Sequence, residues 1–152
     1  MQKNKAPNIE HLVFINSPVE KVYTTLTTGR GWDSWFTRGT KVDLDEKFIS
    51  LKWKNFGAGH YTTEDGGKII KAEKDKEFIF QWSPSSHPTT VSIKLEKLKK
   101  GTLVHLKEFG YNKTKKDLKT LAGCAVGWGE ALTLLKFYLE HGVTYGKVPN
   151  KL

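Results

Sequence analysis

The sequence predicts an α+β fold in which helices cover one side of a mostly antiparallel sheet. Residues 115–141 carry apolar side chains at steps of three and four, which is the spacing of one helix face. Between residues 38 and 109 the period changes to two, and short turns separate the alternating segments, as in strands joined by hairpins. Hairpin connections imply antiparallel pairing, and helices grouped outside the strand region place the chain in the α+β class.

The long C-terminal helix is the largest predicted element. At about 1.5 Å per residue it is roughly 40 Å long, enough to cross a whole sheet. We expect Thr114 to cap its start and Gly142 to end it. One side of this helix carries the apolar residues Leu118, Leu121, Ala125, Trp128, Leu132, Leu135 and Leu139.

Three glycines, Gly123, Gly127 and Gly129, interrupt this helix, and each costs about 1 kcal/mol relative to alanine in a helix interior. Two explanations remain open. Either a neighbouring element approaches the helix backbone closely at these positions, or the small residues around Trp128 leave space above the sheet that a ligand enters.

The start of the chain predicts a strand followed by two short helices. Residues 9–15 are rich in β-branched and aromatic types, which favour a strand. Ser17, Pro18 and Glu20 form the pattern of a capping box with proline at the first helical position, which predicts a helix over residues 18–27. A second short helix or turn follows, with three large aromatic residues at helical spacing: Trp32, Trp35 and Phe36.

The middle of the chain predicts a meander of about six strands. Asp65, Gly66 and Gly67 form a turn signal inside it, and residues 99–101 form a hairpin turn. A twisted sheet of this size curls, so a helix in its concave face leaves room that large side chains or a ligand must fill. Seven segments are candidates for these strands, residues 40–44, 48–54, 60–63, 68–73, 77–83, 90–98 and 102–109, and the alternation is shortest or least regular at 40–44 and 60–63.

Strand parity and the helix face define a candidate ligand-binding wall. Aromatic side chains cover a large apolar area, and an indole N–H offers a fixed donor that can orient a ligand. The alternative is that the same side chains form a solid core. The candidate residues are Trp32, Trp35, Phe36, Ile49, Leu51, Trp53, Phe78, Phe80, Trp82, Val91, Ile93, Leu121, Trp128 and Leu132.

Glu108 is a weak candidate for a catalytic residue. It shares strand parity with Val104 and Leu106, which points its carboxyl group inward. A carboxyl group that is buried without a partner has a raised pKa, as a general acid or base requires. The position near the end of the strand favours the alternative, a carboxylate exposed to solvent.

The five histidines predict no metal site, because none stands at a metal-ligand spacing from Cys124 or from another histidine. We expect His105 to face solvent and His11 to be a hydrogen-bonded core residue, whereas His60 and His87 lie on loops. No phosphate-binding loop, dinucleotide fingerprint, nucleophile elbow or paired-carboxylate motif is present, so no cofactor is predicted.

The composition predicts a single folded domain over residues 1–152, with 38% apolar and 12% aromatic residues. One cysteine excludes an intrachain disulfide. The N-terminus shows neither the apolar run of a secretory signal nor a membrane span, so we expect a cytoplasmic protein without membrane insertion.

The net charge of +9 raises the question of an anionic partner. The lysines are dispersed along the chain, and only two arginines, Arg30 and Arg38, can make bidentate contacts with phosphate or guanine. We therefore expect a solvated basic surface without specific nucleic-acid binding. An acidic protein partner is the alternative.

Four segments together resemble the family of activators of the heat-shock-protein-ninety ATPase and their homologues, which belongs to the START and birch-pollen-allergen-like superfamily. The resemblance covers about residues 8–145, and the order of the segments is more specific than any one of them. It implies a helix-grip fold, in which a seven-stranded antiparallel sheet curves around the C-terminal helix and encloses an apolar cavity. The segments are INSPVEKV at 15–22, WDSWF at 32–36, EFIFQW at 77–82 and GWGEALTLL at 127–135.

Members of that superfamily bind lipids, hormones or polyketides, and a few catalyse cyclisation or ring-opening. The function that we favour is binding of a hydrophobic or aromatic small molecule between sheet and helix, with little or no catalysis. The alternatives are an enzyme of the polyketide cyclase or hydrolase kind that uses Glu108 or a loop histidine, and a stress-related, co-chaperone-like domain that binds a chaperone or an acidic client. The sequence does not decide between a monomer and a homodimer.

Overall fold

The computed structural model describes residues 4–144. Seven antiparallel strands form one sheet in the order β1-β7-β6-β5-β4-β3-β2, and three helices complete the fold. This is the predicted α+β class with the helix-grip layout, in which the first strand returns to pair with the last one. The elements are β1 (Ile9–Ile15), α1 (Val19–Thr27), α2 (Gly29–Trp35), β2 (Lys41–Asp43), β3 (Phe48–Phe56), β4 (Tyr61–Glu73), β5 (Glu77–Trp82), β6 (Thr89–Leu98), β7 (Gly101–Phe109) and α3 (Lys115–His141).

The core lies between the helices and the inner face of the sheet. Alternate residues of the central strands point into it, as the sequence period predicts. From α2, the Trp32 ring meets the Phe80 ring edge-on at a centroid distance of 6.4 Å. From α3, the Trp128 ring lies 5.4 Å from the Trp82 ring, so both helices cover the same face.

Helix α3 is fastened along the β1 edge of the sheet. The His11 ring bonds the Ala125 carbonyl at 2.9 Å, and the Lys136 ammonium donates to the Phe14 carbonyl at 2.6 Å. Near the C-terminal end of the helix, the backbone N–H of Asn16 donates to Glu140 at 3.1 Å. These contacts hold α3 over β1 and leave more room over the opposite half of the sheet.

The predicted helix ends are confirmed, but the predicted apolar stripe is buried only in part. The Thr114 hydroxyl accepts the Asp117 N–H at 3.1 Å, and Gly142 ends α3 with a φ of 67°. Leu118 is 43% exposed, and Leu121 and Ala125 are only partly buried against the core. The fully packed residues of the stripe are Trp128, Leu132, Leu135 and Leu139.

The predicted capping box of α1 is wrong. Pro18 is the N-cap, α1 begins at Val19, and no side chain caps it. Ser17 is buried instead, and its carbonyl accepts the Thr102 hydroxyl of β7 at 2.8 Å. This tertiary contact fixes the turn after β1, so the serine does not act as a local cap.

The predicted turn at residues 65–67 is also wrong, because β4 runs through it without a break. A Cβ on Gly66 would lie 2.1 Å from the Ile49 carbonyl oxygen, and one on Gly67 would lie 2.5 Å from the Gln81 carbonyl oxygen. Both glycines therefore allow the neighbouring strands to approach closely, which is the other use of glycine within a strand.

No helix within residues 4–144 combines the length and the apolar character that crossing a membrane requires.

Candidate functional site

A pocket of about 550 Å³ lies between α3 and strands β3 to β5. It occupies the part of the inner face that α3, fastened to β1, does not cover. The volume falls within the range of small-molecule sites in proteins. Four of the predicted wall residues line it, one each from the end of α2, β3, β5 and α3: Phe36, Trp53, Trp82 and Trp128.

Two of the three helix glycines face this pocket. A Cβ built on Gly123 or Gly127 meets no atom within 4 Å, and both residues line the pocket. A Cβ on Gly129 would lie 3.3 Å from the His11 ring. Close packing thus accounts for Gly129, whereas open space accompanies Gly123 and Gly127.

Aromatic rings follow one another along the wall. The ring centroids of Trp82 and Trp128 are 5.4 Å apart, those of Trp53 and Trp82 are 6.4 Å apart, and those of Phe36 and Trp53 are 5.5 Å apart. Phe56 adds a further ring, 5.2 Å from Phe36. Rings at these separations support one another's positions and form a continuous apolar surface.

Glu108 lies behind this aromatic wall and is fully buried, with no exposed surface. Its Oε2 accepts three hydrogen bonds of 2.7 Å, from the Trp82 indole and from the hydroxyls of Thr89 and Tyr111. Its Oε1 accepts the Trp128 indole N–H at 3.0 Å. The expectation of a carboxylate exposed at the strand end is therefore wrong, and the inward direction predicted from parity is correct.

The hydrogen bonds to Glu108 determine what the pocket offers a ligand. Since the N–H groups of Trp82 and Trp128 are both bonded to the carboxylate, these two indoles present only ring surface to the pocket. Glu108 itself does not line the pocket. It holds the two rings in place from behind, through the hydrogen bonds that its oxygens accept from their indole N–H groups.

Sheet register brings the partners of Glu108 together. Trp82 lies opposite Thr89 in the β5–β6 pair, and Val91 lies opposite Glu108 in the β6–β7 pair. Thr89 has the parity of Val91, a signal that could have placed it inward. Tyr111 follows the end of β7, where strand parity no longer applies, so its role had no signal in the sequence.

Tyr111, a partner of Glu108, and the nearby Cys124 are both protonated groups. Burial is the main cause that raises the pKa of the Cys124 thiol to about 11, although a hydrogen bond with Tyr111 works in the opposite direction. Burial also raises the pKa of Tyr111, followed by its hydrogen bond with Cys124 and the charge of Glu108. At neutral pH the pocket wall thus carries a thiol and not a thiolate nucleophile.

The other predicted wall residues lie in the packed core or beside it, and they do not line this pocket. Trp35 lines a different pocket, described below. Leu121 is half-buried and packs against the core. The residues that fill the solid interior are Trp32, Ile49, Leu51, Phe78, Phe80, Val91, Ile93 and Leu132.

Polar residues that the sequence did not single out surround the pocket mouth. Asp65 accepts the backbone N–H groups of Gly66 and Ser83 at 2.7 and 2.9 Å, which ties the middle of β4 to the end of β5. Glu64 lies 3.8 Å from the Lys52 ammonium. Further lining residues are Tyr61, Thr63, Pro84, Thr120 and Glu130.

None of the described histidines lines the pocket. His105 is exposed, as predicted. His11 is half-buried with a hydrogen bond to Ala125, and the His87 ring bonds the Gly110 carbonyl at 2.8 Å. Within residues 4–144, no group of three or more histidine, cysteine, aspartate or glutamate side chains is arranged to hold a metal ion.

Comparison with known structures identifies similar folds. The solution structure of the Aha1 dimer from Colwellia psychrerythraea is 26% identical, with a TM-score of 0.70, and the match covers 90% of this chain and 98% of that one. The protein SSP2350 from Staphylococcus saprophyticus is 25% identical, with a TM-score of 0.73 and coverage of 93% and 98%. CalU16 from Micromonospora echinospora shares the fold at 20% identity, with a TM-score of 0.69 and coverage of 95% and 78%.

Sequence comparison gives the family. No curated protein matches the chain. The family model described as "Activator of Hsp90 ATPase homolog 1-like protein" matches residues 16–140, which include α1 and all but the last residue of α3. The chain therefore belongs to the family of Activator of Hsp90 ATPase homolog 1-like proteins.

Proposed function

We propose that this protein binds a hydrophobic or aromatic small molecule in the pocket between α3 and the sheet. The observation that carries the proposal is the open space beside Gly123 and Gly127. Alanine at either position would favour the helix by about 1 kcal/mol, and its methyl group would meet no neighbour within 4 Å. Packing does not require glycine there. A ligand that lies against the helix does require it, because a side chain at either position would occupy the ligand's space.

The chemistry of the wall supports an apolar ligand. Trp53, Trp82 and Trp128 present large ring surfaces, and two of the three indole N–H groups are bonded to Glu108. Such a wall favours binding through apolar area and π contacts. The polar groups at the mouth, among them Thr63 and Thr120, leave a hydrated end for a ligand that is not wholly apolar.

A cavity-filling variant tests the proposal. Gly127→Leu places a side chain in the pocket, whereas Ala122→Leu makes a comparable change at an exposed position of the same helix outside the pocket. Dodecanol and naphthol are titrated into each protein while tryptophan fluorescence is recorded. We expect both probes to quench or shift the emission of the wild type and of Ala122→Leu. We expect Gly127→Leu to remain folded and to lose the fluorescence response to dodecanol, to naphthol or to both. Equal binding of both probes by all three proteins would refute the proposal.

Glu108 supports binding better than catalysis. It does not line the pocket, and its two oxygens already accept four hydrogen bonds. A general acid or base must reach the proton that it transfers. We therefore assign Glu108 a positioning role, in which it fixes the rings of Trp82 and Trp128.

A second candidate function is binding of a protein partner. Family membership and the net charge of +9 support an acidic client or a chaperone, and the dimer of the Colwellia protein supports a second copy of this chain as the partner. The test is capture of a partner at low and at high salt, because screening weakens attraction between surface charges. Light scattering on the purified protein determines whether it is a monomer or a dimer.

A further inference from the structure

A second, smaller pocket of about 260 Å³ adjoins the first one. It lies between the end of α2 and the β3–β4 hairpin, and it shares Phe36 and Phe56 with the larger pocket. Its volume is slightly below the usual range for a complete small-molecule site. A pocket of this size beside an apolar one can hold the polar end of a ligand whose apolar part lies in the larger pocket.

Two cationic side chains line the smaller pocket. Arg38 and Lys54 line it, both are exposed, and neither forms an ion pair with another residue in 4–144. Asp33 also lines it, and its carboxylate accepts the Thr37 hydroxyl at 2.7 Å and the N–H groups of Gly39 and Thr40 at 2.9 and 3.1 Å. The lining thus carries two cations and one carboxylate.

The mouth of the larger pocket carries the opposite charge. Glu64, Asp65 and Glu130 line it there. Glu64 lies 3.8 Å from the Lys52 ammonium, but no basic side chain of the described residues lines this pocket. An anionic group is therefore disfavoured at that mouth and favoured beside Arg38 and Lys54. A ligand that spans both pockets would thus meet positive charge in the smaller pocket and negative charge at the mouth of the larger one.

Trp35 supplies an independent observation at the smaller pocket. It lines this pocket, only 3% of it is exposed, and its indole N–H has no hydrogen-bond partner among the described residues. The neighbouring Trp32 indole, in contrast, donates to the Leu26 carbonyl at 2.7 Å. A buried donor without a partner is rare and costly, and a ligand oxygen is the kind of acceptor that it lacks.

We infer that the ligand is an apolar molecule with one anionic group, of the fatty-acid or aromatic-acid kind. Its apolar part lies against Trp53, Trp82 and Trp128, and its carboxylate lies at Arg38 and Lys54. The inference rests on the proposed function and adds to it the class of ligand.

The test compares two ligands with the same carbon chain, dodecanoate and dodecanol, by tryptophan fluorescence. We expect the wild type to bind dodecanoate about tenfold more tightly than the double variant Arg38→Gln/Lys54→Gln does, since two exposed charge contacts are worth about that factor together. Dodecanol should bind both proteins alike, and the advantage of dodecanoate should shrink at high salt. The control variant Arg30→Gln/Lys113→Gln removes the same charge at exposed positions outside both pockets and should behave as the wild type does.

The outcomes separate this inference from the proposed function. If dodecanol binds but dodecanoate binds the wild type and the double variant equally, only the inference fails. If neither ligand binds the wild type, the proposed function fails with it. A further outcome is that sodium acetate alone gives the wild type the same response as dodecanoate does, and that the double variant loses that response. This result would show a site for free small anions and would overturn the link to the apolar pocket. Trp35→Phe should weaken dodecanoate binding alone; an equal loss for dodecanol would overturn the role of its N–H.

Discussion

At the scale of single residues, Glu108 determines the shape of the pocket wall. A buried carboxylate is costly unless donors surround it, and here the donors come from β5, β6, α3 and the segment after β7. Strand parity predicted its direction, but no local pattern could predict its burial. The four partners are distant in the sequence or lie beyond the strand, so only the assembled sheet and helix bring them together.

We expect Glu108→Gln to lower the free energy of unfolding by about 3 kcal/mol, because the amide N–H₂ group must then face a buried donor. It should also broaden the tryptophan emission, since the rings of Trp82 and Trp128 lose their common anchor. Urea denaturation measures the first effect. The control is Glu96→Gln at an exposed position of β6, which should change stability little. A Glu108→Gln protein as stable as the wild type would show that the carboxylate is not needed to hold the wall.

At the scale of elements, α3 shows which features of a helix its sequence pattern can predict. The predicted range of residues 115–141, the Thr114 cap and the Gly142 end all agree with the structure, because they depend on local rules. The space beside the helix does not depend on such rules. It arises because His11, Phe14 and Asn16 fasten α3 to the β1 edge, and a helical repeat contains no information on that displacement.

The errors in β4 and α1 have a similar cause. An aspartate followed by two glycines is typical of a turn. In this fold, however, Gly66 and Gly67 allow the two neighbouring strands to lie close to β4. Ser17 has the residue type of a helix cap, yet the contact with Thr102 holds it outside the helix. In both cases a contact with a distant strand overrides the local preference.

The glycines of α3 allow a prediction about stability. We expect Gly123→Ala and Gly127→Ala each to raise the free energy of unfolding by about 0.5 to 1 kcal/mol, because alanine favours the helix and its methyl group meets no neighbour within 4 Å. Gly129→Ala should gain less, since its methyl group would press on the His11 ring at 3.3 Å. Thermal and urea denaturation measure all three. A loss of stability in Gly127→Ala would mean that the space beside it is not open.

At the scale of the whole molecule, two carboxylates hold the ends of α3 to the rest of the fold. Asp117, in its first turn, accepts the Ser85 hydroxyl and the Asn112 N–H, and these two hydrogen bonds are the main causes that lower its pKa from the ordinary 3.8. At the other end, a hydrogen bond from Lys136 and then one from the Asn16 N–H lower the pKa of Glu140 from the ordinary 4.5.

These shifts predict how stability depends on pH. A carboxyl group whose pKa is lowered in the folded state stabilises the protein above its ordinary pKa and loses that contribution as the pH falls through the folded value. We therefore expect the free energy of unfolding to decrease as the pH falls below about 4.5 and through the lowered values.

The variant Asp117→Asn isolates one of the two groups. It should be less stable than the wild type at neutral pH, and the difference should shrink in acid, where the wild-type carboxyl is protonated as well. Denaturation at a series of pH values measures both curves, and Asp45→Asn, at an exposed position, should follow the wild type. A difference that stays constant down to pH values well below the ordinary 3.8 would contradict the role given to the Asp117 charge.

The central claim is that the space between α3 and strands β3 to β5 holds an apolar ligand. The most direct test is the indole N–H region of the NMR spectrum during titration with dodecanol, with the five tryptophan signals assigned by single Trp→Phe variants. We predict that the signals of Trp53, Trp82 and Trp128 shift with ligand concentration while that of Trp32, buried in the core, does not. A titration that leaves those three signals unchanged, or that shifts Trp32 instead, would contradict the account.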